Sequence, residues 1–272
     1  MTTTTGARAV RAAVTATALL LAASGAARAA GPFDGLWVDD LATQVDPGHA
    51  DVYLVQAGKY RCDSCIPPRA YPADGRARPV PGDPDTVSES VAVTGPRSIL
   101  TRIVGADMVR ETTMTVAPDD RTATYVSLDR WPGRADLLKT EFLARRIAPA
   151  PAGAHPVSGS WEGVRYVDVP IPYRSVEFRQ DGDRLTRSTF RHGHYTAVLG
   201  GPPVPLLGAA EDRLTVAVRQ ADPLTLVETV FDGGKPATER TYRLSQGGKA
   251  LQTTVHSFAG DRIFRITAHR AP

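Results

Sequence analysis

Apolar and polar side chains alternate with a period of two along most of the chain, as they do in strands that keep one face dry. Leu214, Val216 and Val218 alternate with Arg213, Thr215 and Arg219. The same rhythm predicts strands over residues 224–231, 238–244, 250–258 and 262–269. Between them stand Asp232-Gly233-Gly234, Gln246-Gly247-Gly248 and Ala259-Gly260-Asp261, turn residues that tolerate positive φ. The earlier part reads alike at 51–57, 87–93, 99–104, 108–116, 122–128 and 138–147, with Ala57-Gly58-Lys59 and Asp181-Gly182-Asp183 turning further pairs. Only residues 41–45 read as a brief helical turn. Short strands at this spacing predict an all-β chain of antiparallel barrels or sandwiches.

The pattern also repeats. Sliding the chain by 124 residues lays 32–81 on 156–205 with 13 of 50 positions identical, where this composition gives about four by chance. The matches include Pro32/Pro156, Gly35/Gly159, Trp37/Trp161, Val52/Val176, Gly58/Gly182, Tyr71/Tyr195 and Pro79-Val80-Pro81 against Pro203-Val204-Pro205. A tandem duplication follows: a first repeat over 30–147, an Ala/Pro linker over 148–154, and a second repeat over 155–272. Each repeat is long enough for its own core. The expectation is two barrels, each closed around its own tryptophan.

Residues 1–29 read as a signal peptide. Arg8 and Arg11 precede a short apolar run, and Ala27-Arg28-Ala29 offers a small-x-small cleavage pattern that leaves Ala30 as the new terminus. Removing the three arginines of that segment from 32 basic residues leaves 29, against 29 acidic ones. A neutral mature chain lacks the basic excess of a nucleic-acid or anionic-membrane binder. No later stretch approaches a membrane-spanning length of apolar residues, and the sparse aromatics, 7% of the chain, argue against an outer-membrane barrel with its aromatic girdles. The expected destination is the periplasm or the cell exterior.

Each repeat opens with Gly-x-Trp, Gly35-Leu36-Trp37 and Gly159-Ser160-Trp161. Glycine lets the entering strand bend closely, and the tryptophan can plug one end of a barrel beneath a cation. Each repeat ends in a strand with paired arginines, Arg145 and Arg146 in one and Arg265 and Arg270 in the other, of which Arg145 and Arg265 are assigned the closing role. This resembles the lipocalin and calycin group, whose first strand carries Gly-x-Trp and whose last strand sets an Arg across that Trp. The group's second signature, a Thr-Asp-Tyr-type turn, is in neither repeat. The chain also resembles exported bacterial proteins in which Cys-x-x-Cys (Cys62-Asp63-Ser64-Cys65) precedes Pro-Ala-Asp-Gly (Pro72-Ala73-Asp74-Gly75), a likeness that implies no activity.

Chemistry is sparse. Cys62 and Cys65, the only cysteines, most simply form a local disulfide in an oxidising compartment. A redox pair would need a helix after the first thiol, and a metal site two more ligands. His192-Gly193-His194 reads as loop histidines and Asp181-Gly182-Asp183 as a turn; no metal or cofactor is expected. No Gly-x-Ser-x-Gly, P-loop or His-Glu-x-x-His occurs. Two Pro- and Gly-rich stretches, 67–84 and 200–208, cannot be central strands and could lid a barrel mouth. Tyr71, His192 and Tyr195 are therefore the candidate mouth residues. The expected function is non-enzymatic binding of a small, largely apolar molecule inside one or both barrels. An envelope interaction module, or a barrel adapted to a hydrolase, lyase or isomerase step, are the alternatives.

Overall fold

The computed structural model describes residues 31–45, 50–83, 86–208, 213–258 and 262–271. The signal-peptide segment and its cleavage site lie outside them. The first ten strands are β1 (Gly35–Val45), β2 (Asp51–Gln56), β3 (Lys59–Cys62), β4 (Arg69–Pro72), β5 (Arg78–Pro79), β6 (Ser88–Gly95), β7 (Ser98–Val104), β8 (Val109–Val116), β9 (Thr122–Arg130) and β10 (Leu138–Ala148). The next ten are β11 (Gly159–Asp168), β12 (Ser175–Asp181), β13 (Arg184–Ser188), β14 (His194–Val198), β15 (Val204–Pro205), β16 (Leu214–Asp222), β17 (Thr225–Asp232), β18 (Lys235–Leu244), β19 (Ala250–Ser257) and β20 (Arg262–Arg270). A 3-10 turn, Ile171–Arg174, precedes β12. Residues 41–45, read as a helical turn, continue β1; the ladder to β20 resumes at Val45 opposite Arg265 after a bulge. Among the described residues no helix is long and apolar enough to cross a membrane.

Two ten-stranded antiparallel sheets result, and both curl into barrels. One runs β4-β3-β2-β11-β10-β9-β8-β7-β6-β5 and the other β14-β13-β12-β1-β20-β19-β18-β17-β16-β15. In the first barrel the chain after β4 meets β6, where Gly75 N–H donates to Val91 O at 2.8 Å. In the second, His194 and Leu207 exchange backbone hydrogen bonds of 2.8 and 2.9 Å, and Gly200 N–H donates to Val218 O at 2.8 Å. The proline-rich stretches contribute only β4, β5 and β15, short pieces at these seams.

The sheets do not divide where the repeats do. β1 leaves the first repeat and lies between β12 and β20; β11 leaves the second and lies between β10 and β2. Each Gly-x-Trp strand has crossed, so Trp37 packs with Phe178, Leu185 and Tyr242 while Trp161 packs with Val55, Tyr60 and Met114. The expectation that each repeat closes around its own tryptophan is corrected accordingly. Residues 148–154 are not a spacer either. They connect β10 to β11, which pair directly with Arg146 opposite Trp161 and Ala148 opposite Ser160. A short connection between antiparallel neighbours places them side by side.

The plug is built alike in both barrels. Gly35 and Gly159 have φ of 118° and 113°, and a Cβ on Gly159 would lie 2.6 Å from Ala148 O and 2.8 Å from Arg146 Nη1. Glycine is required there. The indole N–H donates to the carbonyl four residues earlier, Trp37 to Phe33 O at 2.7 Å and Trp161 to Val157 O at 2.9 Å. Over the rings lie Arg270, 4.6 Å from Trp37, and Arg146, 4.1 Å from Trp161. Each guanidinium also caps backbone carbonyls, Asp34 and Pro32 for Arg270, Ser158 and Pro156 for Arg146. Arg145 and Arg265 are thus the wrong members of their pairs. Arg146 follows inward-facing Phe142 and Ala144, and Arg270 follows Ile266 and Ala268, by the two-residue alternation that turns their neighbours outward. Arg145 instead reaches Glu162 at 2.6 Å on the surface.

The ladders also correct the ungapped repeat register. Trp161 stands opposite Asp51 but Trp37 opposite Val176, so the equivalents run 125 apart across β2 and β3. A one-residue slip reverses the face: Val176 points inward, while Val52 is paired with Ser160 beside the inward Tyr53. Cys62 faces Tyr53 across the ladder as Arg187 faces Phe178. The position of the cysteine in one barrel is held by an arginine in the other.

Candidate functional site

A cavity of about 510 Å³ opens where the free mouths of the two barrels, opposite their tryptophan plugs, meet. From the second barrel come Val176, Arg187, Arg240, Tyr242, Val255 and Ile266; from the first come Arg110, Ser127, Thr140, Phe142 and Tyr166. All lie on the inward parity of their strands, so the cavity continues both interiors. Between them pass the 3-10 turn and the loop carrying Phe190, Arg191 and His192.

A clasp joins the mouths. Asp129, fully buried near the end of β9, accepts from Arg110 Nε at 2.7 Å and Nη2 at 2.6 Å, and from the Tyr173 hydroxyl at 2.5 Å. Trp131 Nε1–H donates to the same hydroxyl at 2.6 Å. Phe190 meets the Trp131 ring at 5.0 Å and the Tyr173 ring at 5.5 Å, and Arg191 lies 5.3 Å over Tyr173. Pro170 and Pro172 shape the turn that presents Tyr173, and Arg174 ties it to the backbone of Asp39 at 2.8 Å. Burial raises the Asp129 carboxyl, but Arg110, Tyr173 and Arg191 outweigh it and hold it below the ordinary value.

Beneath the cavity, in the second barrel, Glu228 is fully buried. It accepts from Arg240 Nη1 at 2.5 Å and the Tyr195 hydroxyl at 2.8 Å, with Arg187 Nε 3.3 Å away. Burial pushes this carboxyl up, yet the two arginines and Tyr195 bring it below its usual range. Asp39 behaves oppositely: burial lifts it to about 6 against the pull of Arg174. His192 at the rim is drawn down to about 4 by crowding and by Arg240, Arg191 and Arg187, so it is neutral at pH 7.

The three candidate mouth residues separate. His192 lines the cavity. Tyr195 points into the same barrel but lies below, 1% exposed, engaged with Glu228. Tyr71 lies in the other barrel, 5.6 Å from the Tyr60 ring, its phenol pushed up by burial and by Glu89. The ladders pair Tyr71 with Tyr60 but Tyr195 with Arg187, two residues deeper or shallower along equivalent strands. Cys62 and Cys65 form a disulfide (S–S 2.09 Å) away from the cavity. Among the described residues no cluster of His, Cys, Asp and Glu is arranged to hold a metal ion.

Sequence reasoning missed Arg187, Glu228, Arg240, Arg110 and Asp129. A signal was present: each is a charge on the dry side of an alternating strand, as Glu228 is between Leu226 and Val230. Comparison with family models, with curated proteins and with solved structures finds no match to the chain.

Proposed function

We propose that the chain is exported, to a periplasm or to the cell exterior, and holds a small, largely apolar molecule without transforming it. The observation that carries this reading is the cavity of about 510 Å³ shared by two barrel mouths, a volume within the range of small-molecule sites. Phe142, Tyr166, Val255, Phe264 and Ile266 give it apolar walls, while a few arginines supply orientation. Glu228 and Asp129 are each committed to arginine partners, an arrangement that favours holding over proton transfer. The resemblance to the lipocalin and calycin group points the same way, since it implies a plugged barrel with a ligand at its open end. The disulfide and the leader-like opening segment support an oxidising destination.

Native mass spectrometry of protein purified from its own host tests this. The expected result is an additional mass of small-molecule size that is lost on denaturation. A bare chain that also takes up none of a panel of apolar probes would overturn the proposal.

A further inference from the structure

The cavity is more cationic than a pocket for a neutral apolar molecule needs to be. Arg110, Arg174, Arg187, Arg191 and Arg240 line it, and among the described lining residues Asp39 is the one acid. The carboxylates that line it or grip those arginines are Asp39, Asp129 and Glu228. Five positive charges against three leave a surplus of two. Two buried donors also lack acceptors. Tyr242, 2% exposed, faces Arg187, which can only donate to it, so its own hydroxyl proton has no acceptor, and Arg187, 4% exposed, has its Nε near Glu228 without hydrogen-bond alignment. Buried donors in that state are costly. Both call for an acceptor, which an ammonium or other cationic ligand cannot bring.

Resting on the binding reading above, we propose that the ligand carries a doubly charged oxyanion head, of the phosphate monoester class, on an apolar or aromatic body. The head sits among Arg187, Arg191, Arg240 and Tyr242, and the body lies against Phe142, Phe264 and Ile266. A phosphate monoester loses its second proton near pH 6, so it supplies two charges at pH 8 and an array of acceptors with none of the donors the site already has in excess. Arginine is the side chain best suited to such a head. The neutral state of His192 leaves recognition to the arginines.

Three probes with one body separate the terms: 2-naphthyl phosphate, 2-naphthyl sulfate and 2-naphthol, titrated calorimetrically into the whole protein at pH 8 and low salt. The phosphate is expected to bind about tenfold more tightly than the singly charged sulfate, and the sulfate more tightly than the alcohol. Arg240→Gln should remove most of the phosphate preference. Because Arg240 also supports buried Glu228, Arg191→Gln at the rim is the companion variant; it leaves that buried group intact and should cut phosphate affinity about tenfold while leaving 2-naphthol unchanged. Sulfate binding as tightly as phosphate, or both variants keeping the full preference, overturns the head-group inference while the binding reading stands. No binding of any probe counts against both.

Discussion

The two barrels share a plug and differ at the level of the mouth. Counted along the ladders from the matching pairs Arg146–Trp161 and Arg270–Trp37, Ala144 corresponds to Ala268, Ala123 to Leu251 and Val116 to Leu244. One inward step further, Met114 stands where the second barrel has Tyr242 and Tyr125 where it has Thr253; the next step gives Thr112 against Arg240. Cys62 stands against Arg187. The first barrel fills this level with rings, Tyr125 stacked on Phe142 at 4.4 Å and Tyr60 on Tyr53 at 6.1 Å. The second has Thr253 and Ile266 where Tyr125 and Phe142 stack and Arg187 where Cys62 lies, keeps rings at Phe178 and Tyr242, and lets the cavity reach Thr253, Ile266, Arg187 and Tyr242. Closure tolerates little variation because backbone carbonyls and a glycine constrain it. The level above is free to diverge, and there the chemistry collects.

That contrast can be broken first at the buried carboxylates. Glu228→Gln strands Arg187 and Arg240 and should cost about 3–5 kcal/mol. Glu89→Gln in the first barrel leaves Arg69 with Asp83 and should cost about 1–3 kcal/mol. Urea denaturation of both variants decides, and equal losses would erase the distinction. The plugs should behave as twins: Arg146→Met and Arg270→Met are each expected to lose about 2–3 kcal/mol, from ring stacking and two carbonyl contacts. Arg145→Met and Arg265→Met, which are exposed, should stay within about 0.5 kcal/mol. Replacing both cysteines by alanine removes a very small loop and should cost about 2 kcal/mol, with the loss confined to amide protection in the first barrel.

The smallest effects are pH-dependent and belong to the cavity. Asp39 has a raised value near 6 against 3.8 unfolded, so the folded state holds its proton more tightly and stability falls as pH rises from about 4 to 6. His192 has a lowered value near 4 against 6.5, so stability rises as pH climbs through the same interval. The two slopes oppose one another. Asp39→Asn should gain about 1–2 kcal/mol at pH 7, the shift being discounted for residual exposure, and should uncover the rising histidine slope. His192→Gln should uncover the falling one. Denaturation midpoints from pH 4 to 8 test this, and parallel curves for the two variants would refute it.

The strands were legible because alternation is a local property, and 262–269 or 138–147 could be read almost to the residue. The plug was legible because Gly-x-Trp occurs twice. The exchange of β1 and β11 was not, for a physical reason. Both tryptophans use the same four-residue spacing to their carbonyl acceptor and closely similar glycine conformations, so the plug motif itself does not tell one slot from the other. The choice between Arg145 and Arg146 turns on strand phase, which period two could have settled from Phe142 and Ala144. The cavity eluded the sequence for another reason: its walls come from ten strands and two loops, and no linear spacing connects Arg110 to Arg240.

The crossing of the first strand also sets a timetable for synthesis. Everything the first barrel needs, from Asp51 to Asp168, is contiguous, so that barrel can close while later residues are still emerging. β1 has to wait: Trp37 takes its cation from Arg270, more than two hundred residues downstream. Until β20 arrives, a tryptophan-bearing edge stays unpaired, and β11 is competent to take its place or to accept a strand from a neighbouring molecule. A chain cut at residues 148–154 would accordingly yield two fragments, each carrying a spare plug strand able to fold back into its own barrel.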